Sequence, residues 1–513
     1  MLVLLAAAAA AAVLIVRHET KDDGSGARRA AAQRFVAAWA DRDTGAMWRT
    51  LSPAARRAHP RAAFAGAYKS AETAAGVTAV HVGTPVKERA GTIAVRVAVT
   101  TKVFGTLRGV VALPVSGIGP EAGVDWASSL RLPGLRAGEG VKRRDGAQPT
   151  RATIFAADGS PLDATGLGAS IAGKAGAEPT GLERIYDERL AGHPSERLLF
   201  GARTVGKVDA VRGRSVRTTI RPGLMATAAN ALGSKLGGIA VVRPRDGAVL
   251  ALAGLAVSAP QPPGSTFKII TASAALDRGI ATPSSTYPVR TFATLSGVKL
   301  RNASGESCGG TLTAAFIDSC NSVFAPLGAK LGGKRLRDVA RKFGFDETLK
   351  IPALKASTLG GAGDLADDIA VGSAAIGQNR DLATPLAMAS VGATIAYDGR
   401  RARPRIATLE PVVRHRVVPA KVAHQVREMM LGVVRSGTGT AAAIPGVQVA
   451  GKTGTAELKA NSKRKEDADA WFVAFAPAGD PQVAVAVMLV GAGFGGTSAA
   501  PIAKQVLSAA LGR

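Results

Sequence analysis

A chain of 513 residues has room for about two to four domains with full cores, and a composition 47% apolar and 20% charged is that of a globular protein, not a disordered one. Its formal net charge of +27 would suit nucleic acid, but only 4% of residues are aromatic and no zinc-finger, RNP-type or helix-turn-helix signature accompanies the charge. No nucleic-acid partner is therefore expected; an anionic membrane surface or wall polymer fits the charge as well, and the high Ala, Gly and Arg content matches a high-GC coding bias.

Residues 1–16 are an uncharged apolar run ended by Arg17. They fall just short of the roughly 17–25 residues of a spanning helix. With no small-x-small cleavage site behind it, the run reads as an uncleaved single-pass anchor in the cell membrane, the body lying on the extracytoplasmic side. No basic residue precedes it to fix orientation, which suggests a true start upstream of Met1. A polar, Gly-containing linker follows at 21–29.

Helical patterns at 28–40, with Phe35, Val36 and Trp39 on one stripe, and at 44–51 and 61–68 give way to alternation near Val80, Val82, 93–99 and 107–115. Helices followed by antiparallel strands predict a small α+β domain over 27–145 without a catalytic constellation. Residues 146–221 alternate short strands with Gly/Pro loops and read as a connector. From 222 a helix is expected at 225–236, then a hairpin of strands 238–242 and 248–252.

Pro262-Pro263-Gly264 then closes off a helix predicted from Ser265 to just before Gly279, apolar on nearly every side and so buried. Its first turn carries Ser265 and Lys268, three residues apart and on one face. Alone these are a capping serine and a snorkelling lysine; with partners they are a nucleophile and its base. Asp318-Ser319-Cys320-Asn321 breaks two helical runs, 312–317 and 323–331, where polar side chains two apart can face one cleft. Gly451-Lys452-Thr453-Gly454-Thr455 ends an alternating run and reads as an edge strand whose glycines admit a second backbone. Strands at 471–477 and 483–490 and a helix at 498–511 would complete that sheet.

Gly446 to Thr453 also satisfies the phosphate-binding pattern G-x-x-x-x-G-K-[ST]. Its middle, Val447-Gln448-Val449-Ala450, is strand-like and Gly454 stands where a helix should propagate, so a nucleotide site is not expected. Cys308 and Cys320 permit one bridge in an oxidising compartment. A regular helix over 311–318 would hold the two sulfurs at opposite ends, which counts against it, and the pairing stays open. Two Cys and six scattered His predict no metal site.

In order, S-x-x-K at Ser265/Lys268, S-x-N at Ser319/Asn321 and K-T-G at Lys452/Thr453/Gly454 resemble the penicillin-binding proteins and active-site-serine β-lactamases. Gly377-Gln378, Thr384-Pro385-Leu386 and Gly437-Thr438-Gly439-Thr440-Ala441 extend the likeness to the transpeptidase domain of a class B penicillin-binding protein over 222–513. Gly181-Leu182-Glu183 and Thr218-Thr219-Ile220 are similar to that family's pedestal. The order of elements over 27–145 resembles the nuclear-transport-factor-like cone ahead of some members. Only the stretch between Leu252 and Pro262 is short for the family.

The resemblance implies an α+β fold: a catalytic domain with an antiparallel sheet flanked by helices, a loop-rich pedestal, and a small cone-like domain behind the anchor. It implies Ser265 as nucleophile, Lys268 as base, Ser319 as proton relay, Asn321 holding the substrate amide and Lys452 its carboxylate. Thr453 and Thr455 would donate hydroxyls beside Gly454, and backbone N–H groups of Ser265 and Thr455 would hold the oxyanion. The implied substrate is the D-Ala-D-Ala end of a peptidoglycan stem peptide, cross-linked without cofactor or metal. β-Lactams would acylate Ser265, and glycan strands would come from a glycosyltransferase partner. A β-lactamase is the rival, but Glu347, Glu410 and Glu428, the glutamates between Asn321 and Lys452, lack an E-x-x-L-N context. A non-catalytic β-lactam sensor or scaffold is a third reading.

Overall fold

The computed structural model describes residues 24–86, 89–459 and 464–513. The expected anchor at 1–16 lies outside them, and no helix of the described residues is long and apolar enough to cross a membrane. The chain divides into two compact units.

The first unit holds the described residues up to Thr150 together with Gly192–Arg212. Its helices Ser25–Ala40, Thr44–Arg49, Pro53–Ala58 and Arg61–Ala75 precede strands Val77–Val82, Thr92–Thr101, Thr106–Ser116 and Gly123–Val124, which form a four-stranded sheet in sequence order. Asp43 and Ser52 cap the second and third helices by accepting from the backbone N–H groups of Ala46 and Ala55. Alternation in the second strand buries Ile93, Val95, Val97 and Val99 in one core with Phe35, Trp39, Phe64 and Tyr68. A second sheet pairs Val141–Asp145 with Glu196–Phe200, which in turn pairs with Arg203–Val208. Its Leu198 and Phe200 enter the same core. The stretch read as a connector is thus divided, because the 196–208 hairpin buries its apolar face with the N-terminal helices.

The second unit, Arg151–Ala191 with Gly213–Arg513, is built on a five-stranded antiparallel sheet. Its strands are labelled β1 (Gly237–Val242), β2 (Val249–Gly254), β3 (Ala450–Glu457), β4 (Ala468–Ala476) and β5 (Val483–Leu489). Their order is β2-β1-β5-β4-β3, which leaves β3 at an edge as its sequence predicts. All seven residues of β5 are buried, so the sheet is covered on both faces, as an apolar run without alternation requires. Helices Pro222–Leu232 and Ala500–Ala510 pack together against it, and the nearly all-buried helix Pro385–Ala396 also lies on its central strands. The helix expected at 225–236 sits earlier, stopped by Gly233 at φ 58°.

Cys308 and Cys320 form a disulfide. The helix runs Leu312–Ile317 as its pattern suggests, and the bridge closes because strand Cys308–Thr311 doubles back beside it. The two Cα atoms come within 5.8 Å.

Candidate active site

Ser265 sits in a 3-10 turn, Gly264–Phe267, and the α-helix proper runs Lys268–Asp277. The turn is tight because it is pressed onto β3. Gly264 has φ +51°, and a Cβ there would stand 2.6 Å from the Thr455 carbonyl oxygen. From the other side a Cβ on Gly454 would stand 2.8 Å from the Pro263 carbonyl oxygen. Both glycines are what let the Ser265 turn and the edge strand approach. Gly377 seals a third side, its carbonyl accepting from the Gly264 N–H at 2.9 Å.

Against this frame the structure brings the five expected polar groups together. Lys268 is fully buried, with Nζ 2.9 Å from Ser265 Oγ, 2.6 Å from the Ser319 carbonyl oxygen and 2.7 Å from Asn321 Oδ1. Lys452, also fully buried, donates to Ser319 Oγ at 2.9 Å. Ser319 has φ 64°, a left-handed conformation rare for serine. In it the carbonyl faces Lys268 while the hydroxyl faces Lys452. Thr453 meets the Thr438 hydroxyl at 2.6 Å, and Thr455 lines the cleft beside Ser265. Gly454 serves through its missing side chain.

Two buried amines this close oppose each other's charge. Burial first, and then the Lys452 charge, hold Lys268 well below the ordinary lysine range. Burial lowers Lys452 to about 7, with Asp318 pulling the other way. A neutral lysine amine has two N–H bonds and one lone pair. The Ser319 carbonyl and Asn321 Oδ1 can only accept, so they take both N–H bonds. The lone pair is left aimed at the Ser265 hydroxyl. That arrangement can deprotonate a serine.

The cleft, about 890 Å³, is also walled by residues that carried no expected role: Val298, Arg301, Gln378, Thr438, Phe494 and Glu457. Gln378 and Thr438 lie in stretches whose letters were visible. Nothing local marks Phe494 or Val298, which reach the cleft only through the fold. Glu347 pairs with Arg401 and Arg403, Glu410 accepts from the Tyr186 hydroxyl, and Glu428 is exposed; none lines the cleft. Lys452 stands within β3, with strand continuing to Glu457, so the phosphate-loop match forms no helix-capped cradle. Among the described residues no group of His, Cys, Asp and Glu could hold a metal.

A helix-flanked antiparallel sheet with a serine and two buried lysines at its edge belongs to the class of centres built for acyl transfer. The sequence matches the penicillin-binding protein transpeptidase domain over residues 237–508. It is 34% identical over 396 residues to the peptidoglycan D,D-transpeptidase PbpA of Mycobacterium tuberculosis, covering 65% of this chain and 79% of that protein. The peptidoglycan D,D-transpeptidase MrdA of Acinetobacter baumannii is 27% identical over 400 residues, covering 64% of this chain and 59% of that one. Among solved structures, the ceftriaxone acyl-enzyme complex of M. tuberculosis penicillin-binding protein A superposes with a TM-score of 0.61 at 30% identity, over 71% of this chain and 99% of that one. The chain belongs to the penicillin-binding protein transpeptidase family.

Proposed function

We propose that this protein is a class B peptidoglycan D,D-transpeptidase that works through an acyl-enzyme on Ser265. The observation that carries the reading is the Lys268 amine, fully buried, held below the ordinary lysine range and 2.9 Å from Ser265 Oγ. Lys268 takes the hydroxyl proton as Oγ attacks the carbonyl of the penultimate D-Ala. Backbone N–H groups of Ser265 and Thr455 hold the oxyanion. The amide C–N bond breaks, and the departing D-Ala amine takes its proton through Ser319. A second stem peptide's amine then attacks the ester, forms the 4,3-type cross-link and frees Ser265. Lys452, Thr453 and Thr455 bind the donor carboxylate, Asn321 binds its amide, and no cofactor or metal takes part. A β-lactam enters as a mimic of the donor.

On the same reading residues 1–16 anchor the protein in the cell membrane with its body outside, and 27–145 form a nuclear-transport-factor-like cone. Residues within 146–221 form the pedestal of a transpeptidase domain over 222–513, and a glycosyltransferase partner supplies the glycan. The family membership, the relatives named D,D-transpeptidases and the absence of a cleft position for Glu347, Glu410 or Glu428 support a transpeptidase over a β-lactamase. The test is a donor peptide ending in D-Ala-D-Ala incubated with an amine acceptor. Release of D-Ala with formation of cross-linked product supports the proposal; free acid alone, or no D-Ala release, contradicts it.

A further inference from the structure

Between the nucleophile helix and the Ser319 loop the chain makes an excursion, residues 286–311, that walls one side of the cleft. Strand Thr286–Arg290 pairs with Cys308–Thr311, and hairpin strands Phe292–Leu295 and Val298–Arg301 pair with each other. At its centre is Asn302, a polar side chain only 4% exposed. Its Nδ2 donates to the carbonyls of Arg290 and Glu306, at 2.7 and 2.9 Å. Its Oδ1 accepts from the backbone N–H of Ser322 at 2.8 Å. Asn302 therefore pins the cleft wall to the first turn of helix Asn321–Leu331, one residue past Asn321.

This pin has a chemical consequence at Asn321. The neighbouring Arg301 carbonyl accepts from Asn321 Nδ2 at 2.7 Å. A carbonyl can only accept, so it forces the amide nitrogen toward the wall and Oδ1 toward Lys268. Were the amide turned over, its N–H would meet Lys268 Nζ and take up the lone pair that must receive the Ser265 proton. Placement of the Arg301 carbonyl thus decides whether the base is free.

We propose that Asn302 is a positioning residue for acyl transfer, which by holding the Arg301 carbonyl against Asn321 keeps the Lys268 lone pair directed at Ser265. The proposal rests on the reading of Ser265 and Lys268 as the acylating pair. Among the described residues the charge that acts on Lys268 is that of Lys452, while Ser319 and the Phe324 ring, 5.6 Å away, complete its surroundings. A clamp that served only the hairpin would affect stability and leave the rate alone.

The experiment is stopped-flow acylation of the full chain by a chromogenic β-lactam, resolving the acylation rate constant from encounter affinity. Asn302→Ala is compared with wild type and Ser265→Ala across pH. The acylation rate constant should fall about 10- to 100-fold with affinity little changed, the scale of a compromised general base. The acid limb should move to lower pH, because Asn321 Oδ1 no longer favours the charged amine. If Asn302→Ala does not fold, Asn302→Asp, which keeps an acceptor for the Ser322 N–H but loses both donations, is read by the same criteria. An unchanged acylation rate constant, or a loss confined to affinity, overturns the proposal. Failure of wild type to acylate would instead overturn the reading of Ser265, so the two failures are distinct.

Discussion

Lys268 and Lys452 are chemically alike and sit one serine apart, yet the fold asks opposite things of them. On the proposed mechanism Lys268 must be neutral to accept a proton, and Lys452 must keep a charge to hold a carboxylate. The acylation rate should therefore follow a bell in pH. Its acid limb reports protonation of Lys268, and its alkaline limb reports loss of the Lys452 charge, starting near the value of about 7 to which burial brings that amine. A rate that climbs steadily to pH 10 would contradict this assignment. Stability should move with the same groups: both amines bind protons more weakly folded than unfolded, so the unfolded chain holds more protons from about pH 7 up to the ordinary lysine range. The melting temperature, followed over that window, should rise with pH, and Lys452→Met should flatten the rise. Lys268→Arg places a guanidinium that cannot lose its proton in the base's position, and should cut acylation by about 10²–10⁴-fold.

At the scale of elements, the site depends on a 3-10 turn and an edge strand that touch backbone to backbone. Gly264→Ala would strain a positive φ and drive a Cβ into the Thr455 carbonyl. A loss of about 1–3 kcal/mol by denaturant unfolding is expected, together with loss of acylation. The strands around this contact were legible because β5 is apolar throughout, β4 is apolar from Ala470 onward and β3 carries its glycines in the sequence. Ser265, Lys268, Ser319, Asn321 and Lys452 were legible as motif letters, and the structure brings all five within hydrogen-bonding reach. The turn itself was not, since its tightness comes from the approach of Thr455, some 190 residues away along the chain. The disulfide stayed open for a related reason: a helical pattern alone says nothing about a strand folding back beside it. Asn302 escaped notice because an isolated Asn in a polar stretch looks like any turn residue until its partners are known.

In the molecule as a whole, the chain leaves the first unit at Thr150, enters the second, returns at Gly192 and leaves again at Arg212. No local pattern marks such an exchange, so the sequence suggested a boundary at 222. Ile154, Leu162, Leu182 and Leu190 nevertheless belong to the large core of the second unit, and Tyr186 bonds Glu410 within it. A chain begun at residue 222 should therefore melt below one that retains 151–191, and should acylate with a smaller active fraction. Equal melting temperatures would show that this segment adds nothing to the catalytic unit.

The most direct test of the acyl-enzyme at Ser265 is labelling of the protein by a fluorescent penicillin, alongside Ser265→Ala, followed over hours. One covalent label is expected in the wild type, persisting for hours and vanishing in the variant. A label lost within seconds would make the protein a β-lactamase, and no label on the wild type, or an equal label on Ser265→Ala, would contradict the mechanism outright.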